Sequence, residues 1–183
     1  EDFWITSSYQ GLAKYSNGET MICNEVFPNL PENLSSISVF IDDYIVVGSA
    51  DGRVFLFEHE NDMADLKIID RKIGLVGNTI RFLQPGVDYD LWVGTDKGIN
   101  RIIFDKRVAD SVVKIDFFNA SNGYTDYEGH CSTIDHEGDI WVGTDNELMK
   151  INRKKISNLK SYKGNLTVDR FRLFNYSQGW DSL

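Results

Sequence analysis

Four segments of the chain align without gaps: Phe3-Trp4-Ile5-Thr6-Ser7, Ile45-Val46-Val47-Gly48-Ser49, Leu91-Trp92-Val93-Gly94-Thr95 and Ile140-Trp141-Val142-Gly143-Thr144. Their second position, Trp4, Val46, Trp92 and Trp141, recurs at spacings of 42, 46 and 49 residues. A short turn later each is followed by another apolar strand, at 11–15, 53–57, 98–102 and 148–151. A period of this size marks a supersecondary unit that cannot bury its apolar faces alone and must stack on its neighbours. Units of about 40–50 residues made of four short strands are β-propeller blades. The fold class read from the sequence is therefore all-β: a partial ring of about four blades of four-stranded antiparallel sheet, the first blade incomplete.

The units fall at 1–27, 28–73, 74–121 and 122–183 as segments of one propeller domain. In the second, strands are expected at 37–41, 44–49, 53–58 and 66–70; in the third at 78–83, 91–95, 99–104 and 112–119. In the fourth they are expected at 130–135, 139–144, 148–152 and 170–176. Asp51-Gly52, Asp96-Lys97-Gly98 and Glu137-Gly138 sign the hairpin turns, because positive φ costs Gly little and Asp tolerates it. No long stretch carries a helical period, so helix content should be near nil.

The marker residues have a packing logic. Trp4, Trp92 and Trp141 are large enough to fill the wedge between sheets about 10 Å apart. Gly94 and Gly143, two residues on, let a neighbouring ring or backbone approach, and the hydroxyls of Thr95 and Thr144 can tie the next turn. These positions read as structural blade markers rather than ligand platforms.

Composition narrows function. With 42% hydrophobic and 13% aromatic residues in 183, the chain can bury a sizeable core. A net charge of −9 and a pI near 4.8 argue against non-specific phosphate-backbone binding, so no nucleic-acid partner is expected at this segment. No apolar run of about eighteen residues is present to span a bilayer, and the N-terminus lacks a basic signal-peptide region. Cys23 and Cys131 read as two separate buried thiols. No cofactor or metal site is expected. His59, His130 and His136 lack metal-ligand spacing, no G-x-S-x-G elbow occurs, and Asp88-Tyr89-Asp90 has too few ligands for a calcium loop. The carboxylates at 42–43, 88–90 and 135–139 read as solvated turn formers, and catalytic residues as none. Four glycosylation sequons, at Asn33, Asn119, Asn165 and Asn175, carry little weight in an Asn- and Ser-rich chain.

Propellers bind ligands on loops that join second to third and outer to inner strands. Those loops hold Tyr9, Asp51, Asp96, Lys97 and Asp145, and the longest holds Tyr124, Tyr127, Glu128 and His130. Trp180 is an aromatic outside the core periodicity. Together they offer ring faces and planar polar groups of the kind sugars need. The alternative for Tyr124, Tyr127 and Trp180 is that they brace neighbouring blades.

The string Asp90-Leu91-Trp92-Val93-Gly94-Thr95-Asp96-Lys97-Gly98-Ile99-Asn100-Arg101, echoed from Gly138 to Asp145, resembles the two-component regulator propeller repeat. The Gly-Leu element before the inner strand is matched by Ile73-Gly74-Leu75, and more loosely by Gly123-Tyr124 and Gly179-Trp180. The first two units depart from the pattern, with Thr6 in place of Gly and Val46 in place of Trp. The resemblance implies the extracytoplasmic sensor of a hybrid histidine kinase of the kind found in polysaccharide-degrading gut bacteria, on the periplasmic side of the inner membrane. It further implies that the ligands are glycan fragments and that a sandwich, a membrane span and a kinase lie downstream. A propeller scaffold for protein–protein contacts, or the accessory propeller of a secreted glycan-active enzyme, is the alternative. By that resemblance the expected partner is an oligosaccharide or other small ligand; because an open array leaves apolar faces in water, either further blades of a longer chain or a second copy is expected as well.

Overall fold

Strands that are apolar on both faces need cover on both sides, and the chain provides it by repeating one sheet. The computed structural model describes residues 2–41, 44–59, 65–106, 108–124, 128–153 and 168–172. The first sheet holds β1 (Phe3–Ser7), β2 (Gly11–Ser16) and β3 (Glu19–Ile22). The second holds β4 (Leu34–Phe40), β5 (Tyr44–Ser49), β6 (Val54–Glu58) and β7 (Lys67–Ile69). The third holds β8 (Ile80–Pro85), β9 (Asp90–Thr95), β10 (Gly98–Asp105) and β11 (Val108–Phe118). The fourth holds β12 (Gly129–Ile134), β13 (Ile140–Thr144), β14 (Glu147–Ile151) and β15 (Val168–Arg172). Strands follow chain order within every sheet and pair antiparallel. Between sheets, β1 neighbours β4, β4 neighbours β8 and β8 neighbours β12, so the leading strands are innermost and the sheets fan out as propeller blades.

The core is the set of wedges between blades. Alternation sends successive side chains to opposite faces, so Ile45 and Val47 of β5 pack toward the first blade and Val46 toward the third. Likewise Leu91 and Val93 of β9 face the second blade, whereas Trp92 faces Ile140, Val142, Met149 and Ile151 of the fourth. Trp92 is 2% exposed and is core, as its periodic position predicts. Trp4 faces the second blade against Phe57, with ring centroids 5.3 Å apart, and is half-buried. Trp141 lies on the outward face of the fourth blade, half-buried and stacked on Phe171 at 5.6 Å.

The glycine of the marker makes room for the inner strand. A Cβ on Gly94 would stand 2.1 Å from the Phe82 ring, and one on Gly143 would stand 2.8 Å from Cys131 Sγ. The hydroxyl closes the turn that follows. Thr95 Oγ1 accepts from the Lys97 amide at 3.2 Å, and Thr144 Oγ1 accepts from the Glu147 amide at 3.0 Å.

A further unit repeats around the tryptophans. Cross-strand register sets Lys14 opposite Trp4, Arg101 opposite Trp92 and Lys150 opposite Trp141. Each cation lies 5.2–5.5 Å from the ring centroid and is paired with an acid two residues before the tryptophan. The pairs are Lys14–Asp2 at 2.9 Å, Arg101–Asp90 at 2.7 Å and Lys150–Asp139 at 3.0 Å. Asp90 and Asp139 are thus buried anchors, not the solvated turn formers expected from the sequence. Asp135 also departs from that expectation, because it accepts from Trp141 Nε1 at 2.9 Å. The second blade has Val46 and Leu56 at the paired positions and is apolar there.

Strand limits shift where local groups compete for the backbone. The third inner strand starts at Ile80 rather than at 78, because the Asp96 carboxylate takes the Asn78 and Thr79 amides. The second inner strand covers Leu34–Phe40 rather than 37–41 and stops before Ile41, whose φ of 47° breaks the extended path. The third outer strand begins earlier than expected, at Val108, and the fourth covers Val168–Arg172 instead of starting at 170. The described residues include one short α-helix, α1 (Cys23–Val26), and two 3-10 turns, Arg71–Ile73 and Ala120–Asn122. Cys23 is buried, but Cys131 is exposed, since the inner strand of the fourth blade has its outward face open.

Two outcomes follow from this packing. Trp92→Ala should cost about 3–5 kcal/mol in urea unfolding, since it empties the wedge between the third and fourth blades. Arg101→Met should cost about 3–5 kcal/mol by leaving Asp90 buried and uncompensated, and the double variant with Asp90→Asn should recover part of that loss.

Candidate ligand-binding face

Antiparallel order brings every second-to-third turn and every outer-to-inner connection to one end of the sheets. There Leu34 pairs with Ser49, Ile80 with Thr95 and Gly129 with Thr144. On the first blade Ser7 Oγ accepts from the Tyr9 and Gln10 amides, each at 3.2 Å, and the turn leaves the Tyr9 ring 87% exposed. On the second, Arg53 grips Asp51 with two nitrogens, at 3.0 Å and 2.5 Å, while Ser49 Oγ donates to the same carboxylate. The third blade offers Asp96, which accepts from the Asn78 amide at 2.6 Å and from Asn78 Nδ2 at 2.8 Å. Beside it the Lys97 ammonium is largely exposed, 3.8 Å from Asp96. On the fourth, His130 Nε2 meets Asp145 Oδ1 at 2.8 Å, and the Glu128 carboxylate pairs with Arg81 of β8 at 2.7 Å.

The turns are tied to one another across blades. Thr79 Oγ1 donates to the Ala50 carbonyl at 3.2 Å, and the Gly11 amide donates to the Glu32 carbonyl at 2.9 Å. Such cross-links hold the polar groups of this face in fixed relative positions. Electrostatics reinforces them. Hydrogen bonds from Arg53 hold the Asp51 carboxyl below its ordinary value despite partial burial. Burial pushes Asp96 upward, but the bonds from Asn78 and Thr79 outweigh it and the net shift is downward.

Tyr124 departs from the surface reading. Asn119 accepts from the Ser121 amide at 3.0 Å and starts a 3-10 turn, and Gly123 ends it with φ 99°. Tyr124 then turns inward and is 1% exposed against Phe82, Trp92 and Ile140. Burial raises its phenol well above the ordinary range, and its hydroxyl has no partner among the described residues. Asp70, Gly74 and Leu75 form the same device one blade earlier, so Tyr124 braces blades in the place of Leu75. Tyr127 and Trp180 lie outside the described residues. Arg53, Asn78 and Arg81 belong to the face although the sequence reading did not single them out. For Arg53 and Asn78 the available signal was a turn acid, Asp51 or Asp96, whose charge needs a nearby donor.

One group of acids has a different explanation. The carboxylates of Asp135, Glu137 and Asp139 lie within 4.8 Å of one another at the opposite end of the fourth sheet. Lys150 Nζ stands 3.2, 3.4 and 3.0 Å from them and supplies their counter-charge. The bonds to Asp139 and Asp135 raise Lys150, and Asp135 is lowered first by the bond from the Trp141 indole, with the Asp139 amide and Lys150 adding to it.

No family model and no curated protein matches the sequence. Solved structures do match. The extracellular domain of BT3049 from B. thetaiotaomicron, assigned to a hybrid two component system, superposes with TM-score 0.71 at 17% identity over 93% of this chain. The extracellular domain of BT4673 from the same organism, assigned to a one component system, gives 0.73 at 16% identity over 96%. Virginiamycin B lyase from Staphylococcus aureus gives 0.65 at 13% identity over 95%. The chain spans 21% and 23% of the first two and 53% of the third. Likeness at these identities defines the class: the chain is a run of β-propeller blades. It shares that fold with both extracellular sensor-type domains and a lyase.

The depressed carboxylates set a pH dependence. Asp51 and Asp96 titrate below their unfolded values, and Asp2 is lowered to about 2 by its bonds to Ser16 and Lys14. Their contribution is complete above the ordinary carboxylate value and is lost as pH falls through the folded values. Urea midpoints should therefore hold level near neutrality and fall between about pH 4 and pH 2. Asp96→Asn should flatten that fall.

Proposed function

We propose that the chain is an extracytoplasmic ligand-sensing segment of a hybrid two-component sensor histidine kinase, and that it responds to glycan fragments. The observation that carries the reading is the superposition on two extracellular sensor-type domains over 93% and 96% of the chain. The loop face supports the ligand class. A pyranose needs an aromatic plane for its apolar face and planar donors and acceptors for its hydroxyls. Tyr9 offers the plane, and the pairs Asp51–Arg53, Asp96–Asn78, Glu128–Arg81 and Asp145–His130 offer the polar groups. In this role the segment binds and performs no chemistry. Signalling belongs to a kinase elsewhere in the whole protein, which ties the segment to the periplasmic side of a membrane.

Isothermal titration of the purified chain against a panel of oligosaccharides tests the reading. Saturable binding of at least one is expected, weakened about tenfold or more by Tyr9→Ala or His130→Ala with unchanged circular dichroism. Absence of binding across the panel, or binding indifferent to both substitutions, overturns it.

A further inference from the structure

The inner strands β4, β8 and β12 share one irregularity, at the end nearest the loop face. In β4, Leu34 pairs with Ser49 and Ser36 with Gly48, so Ser35 is one residue extra. In β8, Ile80 pairs with Thr95 and Phe82 with Gly94, which leaves Arg81 extra. In β12, Gly129 pairs with Thr144 and Cys131 with Gly143, which leaves His130 extra. Each is a β-bulge. A bulge takes one residue out of the ladder and re-aims its side chain, and bulges gather beside functional sites.

The residues flanking the bulges do packing work in each blade. Ser36, Phe82 and Cys131 lie against the marker glycines Gly48, Gly94 and Gly143, and Leu34 and Ile80 are buried. Ser35, Arg81 and His130 are themselves exposed. Because β8 lies between β4 and β12 at the inside of the fan, these side chains stand beside one another on the axial part of the loop face. The backbone device stays constant while the side chain changes from hydroxyl to guanidinium to imidazole. That is the pattern of positions that read a ligand on a rigid scaffold, not of positions that pack a core.

The partners of these side chains define what they can read. Arg81 meets Glu128 of the next blade at 2.7 Å, and His130 Nε2 meets Asp145 Oδ1 at 2.8 Å. Ser35 Oγ donates to the Gly48 carbonyl at 3.1 Å, which leaves its oxygen free to accept. A sugar hydroxyl both donates and accepts, so it fits a carboxylate and a nitrogen donor held side by side. An anionic sugar would instead have to displace Glu128 from Arg81 and Asp145 from His130, against the field of a chain with net charge −9. We infer that Ser35, Arg81 and His130 are the specificity-determining positions of this face, and that they select uncharged sugar units over anionic ones. The inference rests on the reading of the face as a glycan site, and adds the residues that discriminate and the charge they accept.

Isothermal titration of the 183-residue chain with neutral xylo-, manno- and gluco-oligosaccharides, and with an oligogalacturonide of equal length, tests the inference. Circular dichroism confirms that each variant folds. Saturable binding of at least one neutral oligosaccharide is expected, with the oligogalacturonide bound about tenfold more weakly or not at all. Arg81→Ala should weaken the neutral ligand about tenfold or more. Glu128→Gln leaves the Arg81 charge unpaired, so it should weaken the neutral ligand and strengthen the oligogalacturonide. Neutral binding indifferent to both substitutions, or a wild type that prefers the oligogalacturonide, overturns this inference and leaves the glycan reading standing. Binding of no saccharide overturns both.

Discussion

Sheet-on-sheet burial is the constraint from which the rest of this structure follows. A strand such as β9 is buried on both faces, with Leu91 and Val93 in one wedge and Trp92 in the next. No single sheet satisfies such a strand, so each blade is stable only against its neighbours. Removing apolar surface from water dominates this balance, at about 25 cal/mol per Å². Buried polar groups are then held by partners, as in the acid–tryptophan–cation sets and at Asn100, which bonds the Val76 amide and carbonyl.

The same constraint positions the candidate binding face. Since the blades are held at their wedges, the turns at Ser49, Thr95 and Thr144 come to one end as consequences of strand order. Side-chain hydroxyls close those turns, and cross-blade bonds such as Thr79 to Ala50 join them. Polar side chains on that face are thereby oriented before any ligand arrives, which lowers the entropic cost of binding. Their electrostatics is local: Asp51 and Asp96 each carry their own donors, so the face presents hydrogen-bonding edges rather than a broad anionic field.

Much of the architecture was legible in the sequence because a propeller repeats its packing unit. Trp92, Gly94 and Thr95 announced a blade by their order, and their observed partners match the physical roles that order implied. The sequence left Tyr124 open between a surface group and a brace for an equally physical reason. A loop rich in Asn, Gly and Tyr looks solvated, yet the Asn119 cap and the positive φ of Gly123 turn the next side chain inward. The parallel with Asp70-x-x-x-Gly74-Leu75 was the signal available in the sequence. Asp90 and Asp139 hid their role because a carboxylate in a turn-rich segment is ordinarily solvated, and only cross-strand register reveals Arg101 and Lys150 as partners. The face itself was partly legible: Tyr9, Asp51, Asp96, Glu128, His130 and Asp145 lie on it, but Arg53, Asn78 and Arg81 emerge only from three-dimensional proximity.

The departure of the second blade from the acid–tryptophan–cation pattern has a consequence for folding fidelity. Near-identical repeats invite a strand to pair with the wrong copy of its partner, a characteristic failure of repeat proteins. If β5 were exchanged for β9, Arg101 would lose both its ring and its carboxylate and would be left charged in an apolar wedge. If β6 were exchanged for β10, Asp90 would face Leu56 or a neighbour equally unable to neutralise it. The apolar pair Val46 and Leu56 thus gives the second blade a chemical identity its neighbours lack, and mispairing across that boundary excludes itself through the cost of an unpaired buried charge.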